Sequence, residues 1–378
     1  MQKANPEASF FRIAPTSERA TYAPSSVLEF KLPAANLLQG GTTRLEFRLT
    51  CEQAGAVITQ TEFLCLPRFS GAHAVVRELL IQSPTYGVLD RMANYPSWVS
   101  LLNSQRWSVG NSLQSKAGRE LIMPNHYTSR EAIRSARNGS ELFVCLELET
   151  DLLRQHIDLQ KMGGLTVSVT LSTAAKFFVR DARQTTAAET PTFSLSEVYL
   201  TGAYLSGMPA PKNIVYRQIV QLENTIRSGT DIVSTTVAAQ QCIGMAATFV
   251  RRAALDSTAA GNDDYELETV PTLSELAWRV GGVSEPNSYR IDAVQGGDDS
   301  EARAGALKAI GAAGWGEALF SGPSSVNENN EFYPAYSLGT PLPGEDLTAK
   351  PFAMEVRSAI TAAAPYLVTM HFINVRAI

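Results

Sequence analysis

The amino-acid sequence predicts a mainly β protein made of two antiparallel β-sandwich units in tandem. Three observations lead to this fold class. Apolar and polar residues alternate with a period of two in many short segments, which is typical of strands with one buried face. Glycine and asparagine residues suited to turns separate these segments. A stretch of glycine and proline at residues 207–211 then divides the chain into two blocks of similar length.

The first block contains four segments of clear alternation. Residues 165–172 are the cleanest case, because every second side chain is apolar and the others carry hydroxyl groups; the predicted strands are residues 28–32, 44–49, 142–149 and 165–172. Strands with one dry face are typical of antiparallel sandwiches and barrels. Glycines at 40–41, 139 and 163–164 predict turns, since glycine adopts positive φ at no steric cost.

One helix is predicted within each block. Apolar residues at helical spacing predict the first helix over residues 87–104, with Pro96 expected to break or bend it. In the second block, residues 298–313 begin with acidic side chains, which favour a helix N-terminus. The strands predicted around this second helix are residues 214–222, 243–251, 276–280, 352–356 and 366–375.

Three segments are predicted to be irregular because they are rich in Gly, Pro, Ser, Thr, Asn and Ala: residues 184–191, 256–264 and 322–343. Long irregular segments within a compact protein usually serve a function or make contacts. We expect these three to project from the ends of the sandwiches, where they would meet neighbouring subunits or form an outer surface.

Composition argues against several classes of partner. The 378 residues include 32 Lys and Arg against 37 Asp and Glu, for a formal net charge of −5. This balance predicts no strong electrostatic attraction to nucleic acid or anionic lipid. Charged residues form only 18% of the chain, against about 25% in average soluble proteins. The low value suggests that identical subunits cover part of the surface.

The cysteines and the termini carry no targeting or metal signal. Cys51, Cys65, Cys145 and Cys242 are widely spaced among apolar neighbours, so we expect buried, reduced thiols rather than a zinc or redox motif. The first residues have no apolar core, and no secretory signal is expected. The apolar stretch at residues 359–372 is interrupted by polar residues and proline, and it is shorter than the roughly 20 residues of a membrane span.

The sequence contains no recognisable catalytic motif. It has no phosphate-binding P-loop and no G-x-S-x-G elbow. The glycine-rich residues 311–316 follow no predicted strand, so they are interpreted as a helix end and loop. The four histidines, His73, His126, His156 and His371, form no short-range pair of metal ligands. A structural role is therefore predicted for His73 and His371.

Acidic pairs receive the same structural interpretation. The pairs at 263–264 and 298–299 lack the spacing of a calcium loop and are expected in a solvated loop and at a helix start; a divalent cation shared at an interface is the alternative. Glu147 and Glu149 are expected as a solvated or subunit-facing pair, with a glycosidase acid and nucleophile as the alternative. No catalytic, cofactor-binding or metal-binding residue is predicted.

Three features carry a resemblance to a known family. Two consecutive β blocks are joined at residues 208–211, and a helix is inserted in each block. The third feature is a strand at residues 75–81 that leads to a glycine at 87 and an Asn-Tyr pair at 94–95. Across residues 24–378 the chain thus resembles the double-jelly-roll major capsid proteins of tailless icosahedral viruses, the lineage of adenovirus hexon, virophage coats and membrane-containing phage coats.

The resemblance implies two tandem eight-stranded antiparallel jelly rolls, each with an inserted short helix. It implies an N-terminal arm at residues 1–23, a first jelly roll at 24–206, a linker at 207–213 and a second jelly roll at 214–378. The arm, with Phe10, Phe11 and Ile13, would clamp a neighbour or face the interior, or else form a frayed tail. Its net charge of only +1 gives little capacity to neutralise RNA.

The function implied is that of a major capsid protein without enzymatic activity or cofactors. Homotrimers would form pseudo-hexameric capsomers that tile an icosahedral shell. The implied partners are further copies of the chain, penton and minor capsid proteins, and an internal membrane or membrane protein, with no sequence-specific nucleic-acid binding. The implied location is the virion, after assembly in the host cytoplasm or nucleus.

Two other functions are consistent with the sequence. One is a carbohydrate-binding or carbohydrate-active β-sandwich protein, for which Trp98, Trp107, Trp278 and Trp315 could supply an aromatic platform, although burial is the default for each. The other is a penton, spike or minor coat protein. A single jelly roll in the structure would favour a penton.

Overall fold

The structure is a computed structural model of the 378-residue chain. It describes residues 7–53, 56–57, 64–67, 70–107, 120–121, 141–177, 179–180, 191–226, 229–251, 273–284, 289–290, 306, 308–310, 337–358 and 366–378. Within these residues the strands form two units, which we call the first unit (residues 7–206) and the second unit (residues 215–377).

The described residues of the first unit form fourteen strands and three short or medium helices. Its strands are β1 (Glu7–Ile13), β2 (Thr21–Tyr22), β3 (Val27–Leu32), β4 (Leu37–Leu38), β5 (Arg44–Gln53), β6 (Ala56–Val57), β7 (Leu64–Cys65), β8 (Val76–Ser83), β9 (Gly87–Met92), β10 (Leu142–Glu147), β11 (Ile157–Asp158), β12 (Leu165–Leu171), β13 (Val179–Arg180) and β14 (Pro191–Ser206). Its helices are α1 (Tyr95–Trp107), α2 (Leu159–Met162) and α3 (Ala174–Phe177), and 3-10 turns lie at Gly71–Val75 and Leu152–Arg154.

The described part of the second unit is built from nine strands. They are β15 (Val215–Ile226), β16 (Gly229–Thr235), β17 (Cys242–Arg251), β18 (Leu273–Val280), β19 (Val283–Ser284), β20 (Tyr289–Arg290), β21 (Ser337–Glu345), β22 (Phe352–Ser358) and β23 (Tyr366–Ala377). Residues 306 and 308–310, between β20 and β21, are helical. They fall within the predicted second helix, whose other residues lie outside the described residues.

Both units have the same strand topology. In the first unit, one sheet has the order β1-β14-β5-β10 and the other β3-β12-β8-β9. The second unit repeats this arrangement with β15-β23-β17-β21 and β16-β22-β18-β19. All of these neighbours are antiparallel. In each unit the first main strand lies beside the last, and the second beside the penultimate. This is the winding of a jelly roll.

Alternation along the strands explains how each unit closes over a core. In β12, Val167 and Val169 point inward and are fully buried, while Thr166 and Ser168 face outward. Val167 pairs with Phe30 of β3 on one side and with Ile81 of β8 on the other. Residues that share a face of a sheet collect in one layer, so the two sheets of the unit enclose a single apolar core. The predicted fold class of two tandem jelly rolls is confirmed.

The predicted turn before β12 is also confirmed. Gly163 has φ +71° and ends helix α2 in the left-handed conformation, which glycine adopts without a Cβ penalty. Gly164 has φ +96°, and a Cβ at that position would lie 2.8 Å from the carbonyl oxygen of Leu32. The second glycine therefore also provides the room that β3 needs.

Two sequence predictions need correction. Residues 87–92 form strand β9 rather than the start of a helix, because they pair with β8; helix α1 begins at Tyr95. Pro96 stands in the first turn of α1, where its missing N–H costs no hydrogen bond, so it does not break the helix. Residues 337–343, predicted to be irregular, belong to β21, which pairs with β17 on one side.

The arm predicted at residues 1–23 contains a strand of the first unit. Residues 7–13 form β1, which lies antiparallel to residues 200–206 of β14. The Phe11 ring stacks on Tyr204 at a centroid distance of 4.5 Å and lies where a Cβ at position 202 would be, so Gly202 makes room for it. Phe10 points the other way and is 87% exposed.

Candidate functional site

Helix α1 is enclosed by protein along residues 95–103. All side chains of residues 95–103 are buried, which is the pattern of a helix in the interior of a protein. On one side α1 packs against β8 and the 3-10 turn at Gly71–Val75 of the first unit. Its polar residues reach the second unit on the other side. We call this contact between the two units the seam.

The second unit contacts the seam with one face of its β15–β23–β17–β21 sheet. We call it the outer face, because it is turned away from the second unit's own core. Ala246 and Ile373 belong to the apolar cluster that contains the first unit's core, whereas their neighbours Ala247 and Phe372 belong to the second unit's cluster. One continuous apolar core therefore passes from the first unit across the seam. The two units are held together by packing as well as by the chain.

The start of α1 is fixed to the outer face by hydrogen bonds. The backbone N–H of Asn94 donates to Oε1 of Gln221 at 2.8 Å, and Nε2 of Gln221 donates back to the Asn94 carbonyl at 2.8 Å. The Asn94 side chain donates to Glu223 at 2.8 Å and to Thr369 at 3.3 Å. A side-chain amide that pairs with a backbone amide in both directions fixes position as well as distance. These bonds set where α1 enters the seam.

His371 lies at the centre of this contact and is fully buried. Its Nδ1 is 3.1 Å from Nε2 of Gln221, and its Nε2 is 3.2 Å from the Ser97 hydroxyl and 3.4 Å from that of Thr248. Burial lowers the pKa of His371 to about 3, so the ring is neutral. The amide nitrogen of Gln221 can only donate, so Nδ1 accepts and Nε2 carries the proton. The Trp98 ring lies against the imidazole, with centroids 5.6 Å apart.

A second group of seam contacts converges on the carbonyl oxygen of Leu89 in β9. It accepts from the Tyr216 hydroxyl at 2.7 Å, from Nε2 of Gln218 at 3.0 Å and from the Arg376 guanidinium at 3.3 Å. Nearby, the backbone N–H of Arg217 donates to the Asp151 carboxylate at 2.8 Å. The pKa of Tyr216 is raised by burial, so its hydroxyl remains a donor.

Other histidines also lie among hydrogen-bond partners. His73 is fully buried; its Nδ1 is 3.2 Å from the Tyr95 hydroxyl, and its Nε2 is 3.1 Å from a carboxylate oxygen of Glu120. Nδ1 of His156 accepts from the backbone N–H of Gly40 at 3.0 Å. Tyr95 is the first residue of α1, so its contact with His73 attaches the start of the helix to the first unit. Among the described residues, no group of three or more His, Cys, Asp or Glu is placed to bind a metal ion.

The expectation that Glu147 and Glu149 form a solvated or subunit-facing pair is wrong for Glu149. Glu149 is almost completely buried and forms an ion pair with Arg154, which also lies 3.6 Å from Glu147. Glu147 in turn lies 3.4 Å from Arg44. Shared arginines compensate the two carboxylates, which removes the need for water. Glu147 is the last residue of β10, and there it pairs with Arg44 of the neighbouring strand β5.

The tryptophans are buried wherever the structure describes their side chains. Trp98 and Trp278 are both fully buried and so form no aromatic platform for a sugar. Cys51 and Cys242 are buried as expected, and Cys145 is half-buried. Several predicted features lie outside the described residues: His126, the acidic pairs at 263–264 and 298–299, residues 311–316, the side chain of Trp107, and Trp315.

The equivalent face of the first unit has a different chemistry. Here Arg44, Glu46 and Arg48 of β5 point outward while Leu45 and Phe47 between them are buried. Arg48 donates to Glu197 at 2.8 Å, and the neighbouring Phe143 is 55% exposed. We call this face, on the sheet β1-β14-β5-β10, the open face. The alternation at residues 44–49 predicts a strand but no role for its charges.

Comparison with known proteins gives the class of the fold. No protein-family model matches the sequence, and no curated protein matches it. Among solved structures, the Faustovirus major capsid protein aligns with a TM-score of 0.59 and 8% identity, over 99% of this chain and 90% of that one. The PBCV-1 virus capsid aligns at 0.56 and 9%, over 100% and 95%. The Sputnik virophage structure aligns at 0.56 and 11%, over 98% and 86%.

These similarities span both units, so the chain has the double-jelly-roll fold seen in these viral proteins. The resemblance predicted from the sequence is confirmed at the level of the fold. No helix among the described residues is long and apolar enough to cross a membrane.

Proposed function

We propose that this chain is a major capsid protein whose trimers form pseudo-hexameric capsomers of an icosahedral shell. The observation that carries the proposal is the seam: two units of the same topology in one chain, joined head to tail in the fold shared with viral capsid proteins. Its role is structural and non-enzymatic. The virion is its location, with assembly in the host cytoplasm or nucleus.

The geometry of the seam supports a ring of units. Helix α1 of the first unit covers the outer face of the second, so two different surfaces meet in a head-to-tail contact. Units that repeat such a contact form a closed ring when the rotation from one unit to the next adds up to a full turn. The open face of the first unit is the topological equivalent of the covered outer face, and a second unit from another copy would fit there. Six units require three chains.

The experiment is a mass measurement combined with one interface variant. Light scattering on the purified chain should give three times the chain mass of 40.9 kDa, and negative-stain images should show pseudo-hexagonal particles. Phe143→Asp places a charge on the open face and should give monomers. The matched control is Val27→Asp, because Val27 is 57% exposed on β3 of the other sheet; it should remain trimeric. A wild-type chain that is monomeric at high concentration would contradict the proposal.

The alternatives have less support. Two complete units favour a major coat protein over a penton with one jelly roll, although copy number in the particle is the decisive test. A sugar-binding role would need an exposed aromatic platform, and Trp98 and Trp278 are buried. Penton and minor capsid proteins, and an internal membrane or membrane protein, are proposed as further partners. Virion fractionation with cross-linking would test them.

A further inference from the structure

A buried carboxyl group lies in the seam without a charged partner. Asp90 of β9 is only 1% exposed. Its Oδ2 forms a hydrogen bond with the Thr150 hydroxyl, whereas Oδ1 has no hydrogen-bond partner among the described residues. The backbone amides of Arg91 and Ile219 lie close to the group, and Ile219 belongs to the second unit. Asp90 is therefore a first-unit acid enclosed by both units.

The charged and titratable groups around Asp90 are engaged elsewhere. Arg376 of β23 faces it, but its guanidinium donates to the carbonyl oxygens of Val88 and Leu89. Tyr216 of β15 also donates to Leu89. The Arg91 side chain bonds Glu78 at 2.7 Å.

Next to Thr150, Asp151 of the first unit binds Arg217 across the seam. Among the described residues, Asp90 forms no ion pair. An ionised carboxylate that is buried without an ion-pair partner is strongly disfavoured, so Asp90 is expected to hold a proton. Burial raises the pKa of Asp90 to about 7, against the smaller opposing effects of the Thr150 hydroxyl, the backbone amides of Arg91 and Ile219, and the charge of Arg376.

We propose that Asp90 is a proton-dependent latch of the seam: when protonated it is a neutral group enclosed by both units, and when ionised it places a charge without an ion-pair partner between the units and weakens their contact. The Thr150 hydroxyl donates to the carboxyl group in either state, so the difference between the two states comes from the cost of burying the charge. The latch acts on the contact between the two units of one chain, so it does not depend on the capsid role.

The direction of the pH effect follows from linkage. The folded protein holds the proton up to about pH 7, and the unfolded chain releases it near pH 4, the ordinary range of an aspartate. The stabilisation from the protonated form is complete at acid pH and is lost as the pH rises through about 7. Between about pH 5.5 and about pH 8 the unfolding equilibrium constant should rise about 30-fold from this group alone.

The test compares the pH dependence of stability in the wild type and in Asp90→Asn, which keeps the shape and a donor but cannot ionise. Denaturant unfolding at fixed protein concentration should show the 30-fold pH effect in the wild type and lose it in Asp90→Asn. The variant should match or exceed wild-type stability at about pH 8. A variant with the full wild-type pH effect, or one destabilised tenfold or more at about pH 5.5, would overturn the latch.

The matched control is Asp346→Asn. Asp346 also accepts a hydrogen bond from a threonine, Thr348, at 2.6 Å, but it is exposed and its pKa is lowered by that contact. It stays ionised across the tested range, so the variant should keep the wild-type pH effect. If Asp90→Asn does not fold, carbon-13 NMR of the wild-type carboxyl decides. Titration near neutral pH supports the latch, and titration near pH 4 overturns it.

Discussion

The seam can be tested by removing the indole that fills it. Trp98 of α1 is fully buried, and its ring lies against His371 of the second unit. Truncating a buried tryptophan to alanine costs about 3–5 kcal/mol, from lost transfer free energy and the cavity left behind. Because Trp98 lies at the seam, Trp98→Ala should mainly weaken the contact between the two units. We therefore expect the two units to unfold in separate transitions, whereas the wild type unfolds in one.

Trp278→Ala is the control for this change. Trp278 is equally buried, but it lies inside the second unit, where its ring is 6.0 Å from that of Phe352. The same side chain is lost at about the same cost, yet the seam stays intact. This variant should therefore lower the melting temperature while the two units remain coupled.

Calorimetry combined with hydrogen exchange separates the two cases. Each kcal/mol should lower the melting temperature by about 2–4 °C in units of this size. In Trp98→Ala, β12 of the first unit and β22 of the second should lose protection at different temperatures. The reasoning is refuted if Trp98→Ala melts in one transition and both strands lose protection together.

Four further predictions concern single positions. Asn94→Ala removes the bond to Glu223 and should cost about 1 kcal/mol in denaturant unfolding; no loss would mean that the bond is not formed. Gly163→Ala places a Cβ at φ +71° and should cost about 1 kcal/mol, with an unchanged melting temperature as the contrary result. Burial raises the pKa of Cys242 to about 12, so at about pH 8 its thiol should react with thiol reagents only after unfolding; rapid labelling of native protein would contradict this. Phe10→Ala should change stability by less than about 0.5 kcal/mol because the ring is exposed, and if the arm clamps a neighbouring copy the variant should also weaken the proposed trimer in sedimentation.

Strands were predictable from the sequence where one face is dry along the whole segment. β12 is such a strand. β14 was missed because the pairing register shifts between Ser196 and Tyr199, and Glu197 has φ +46°. The bulge changes which residues point inward, so Leu195 and Val198 are both buried and the alternation breaks. A period-two search cannot find a strand whose period changes partway.

β21 and β1 escaped prediction for other reasons. β21 contains Pro341 and Pro343, which resemble loop residues in sequence; the strand lies at the end of its sheet order, where proline is tolerated. β1 is exposed over most of its length, so it has no apolar period. Both strands owe their conformation to a neighbouring strand rather than to their own pattern.

The seam was not predictable because its partners are distant in the chain. Ser97 and His371 are separated by 274 positions, and no local spacing connects them. The sequence did contain one usable signal: residues 95–103 are apolar or small on several sides of the helix, which indicates enclosure rather than one covered face. That signal predicts a second partner for α1 but cannot identify the second unit.

The chemistry of the two equivalent faces follows from when each is covered. The covered face carries small residues: Ala246 packs into the cluster that contains the first unit's core, and a Cβ at Gly244 would lie 2.7 Å from that of Ala309 in the second unit itself. Such a face suits a contact that forms as the chain folds. The open face carries Arg44, Glu46 and Arg48, which suits a face that stays in water until another copy binds, as proposed.

Charged contacts at the rim of an interface are screened by salt, while close apolar packing is not. Raising salt from about 0.05 M to about 0.5 M should therefore weaken the association of copies in sedimentation. The coupling between the two units in calorimetry should be unaffected by the same change. If salt strengthened association, the open face would bind through apolar contacts such as Phe143, and its charges would serve only to keep it hydrated.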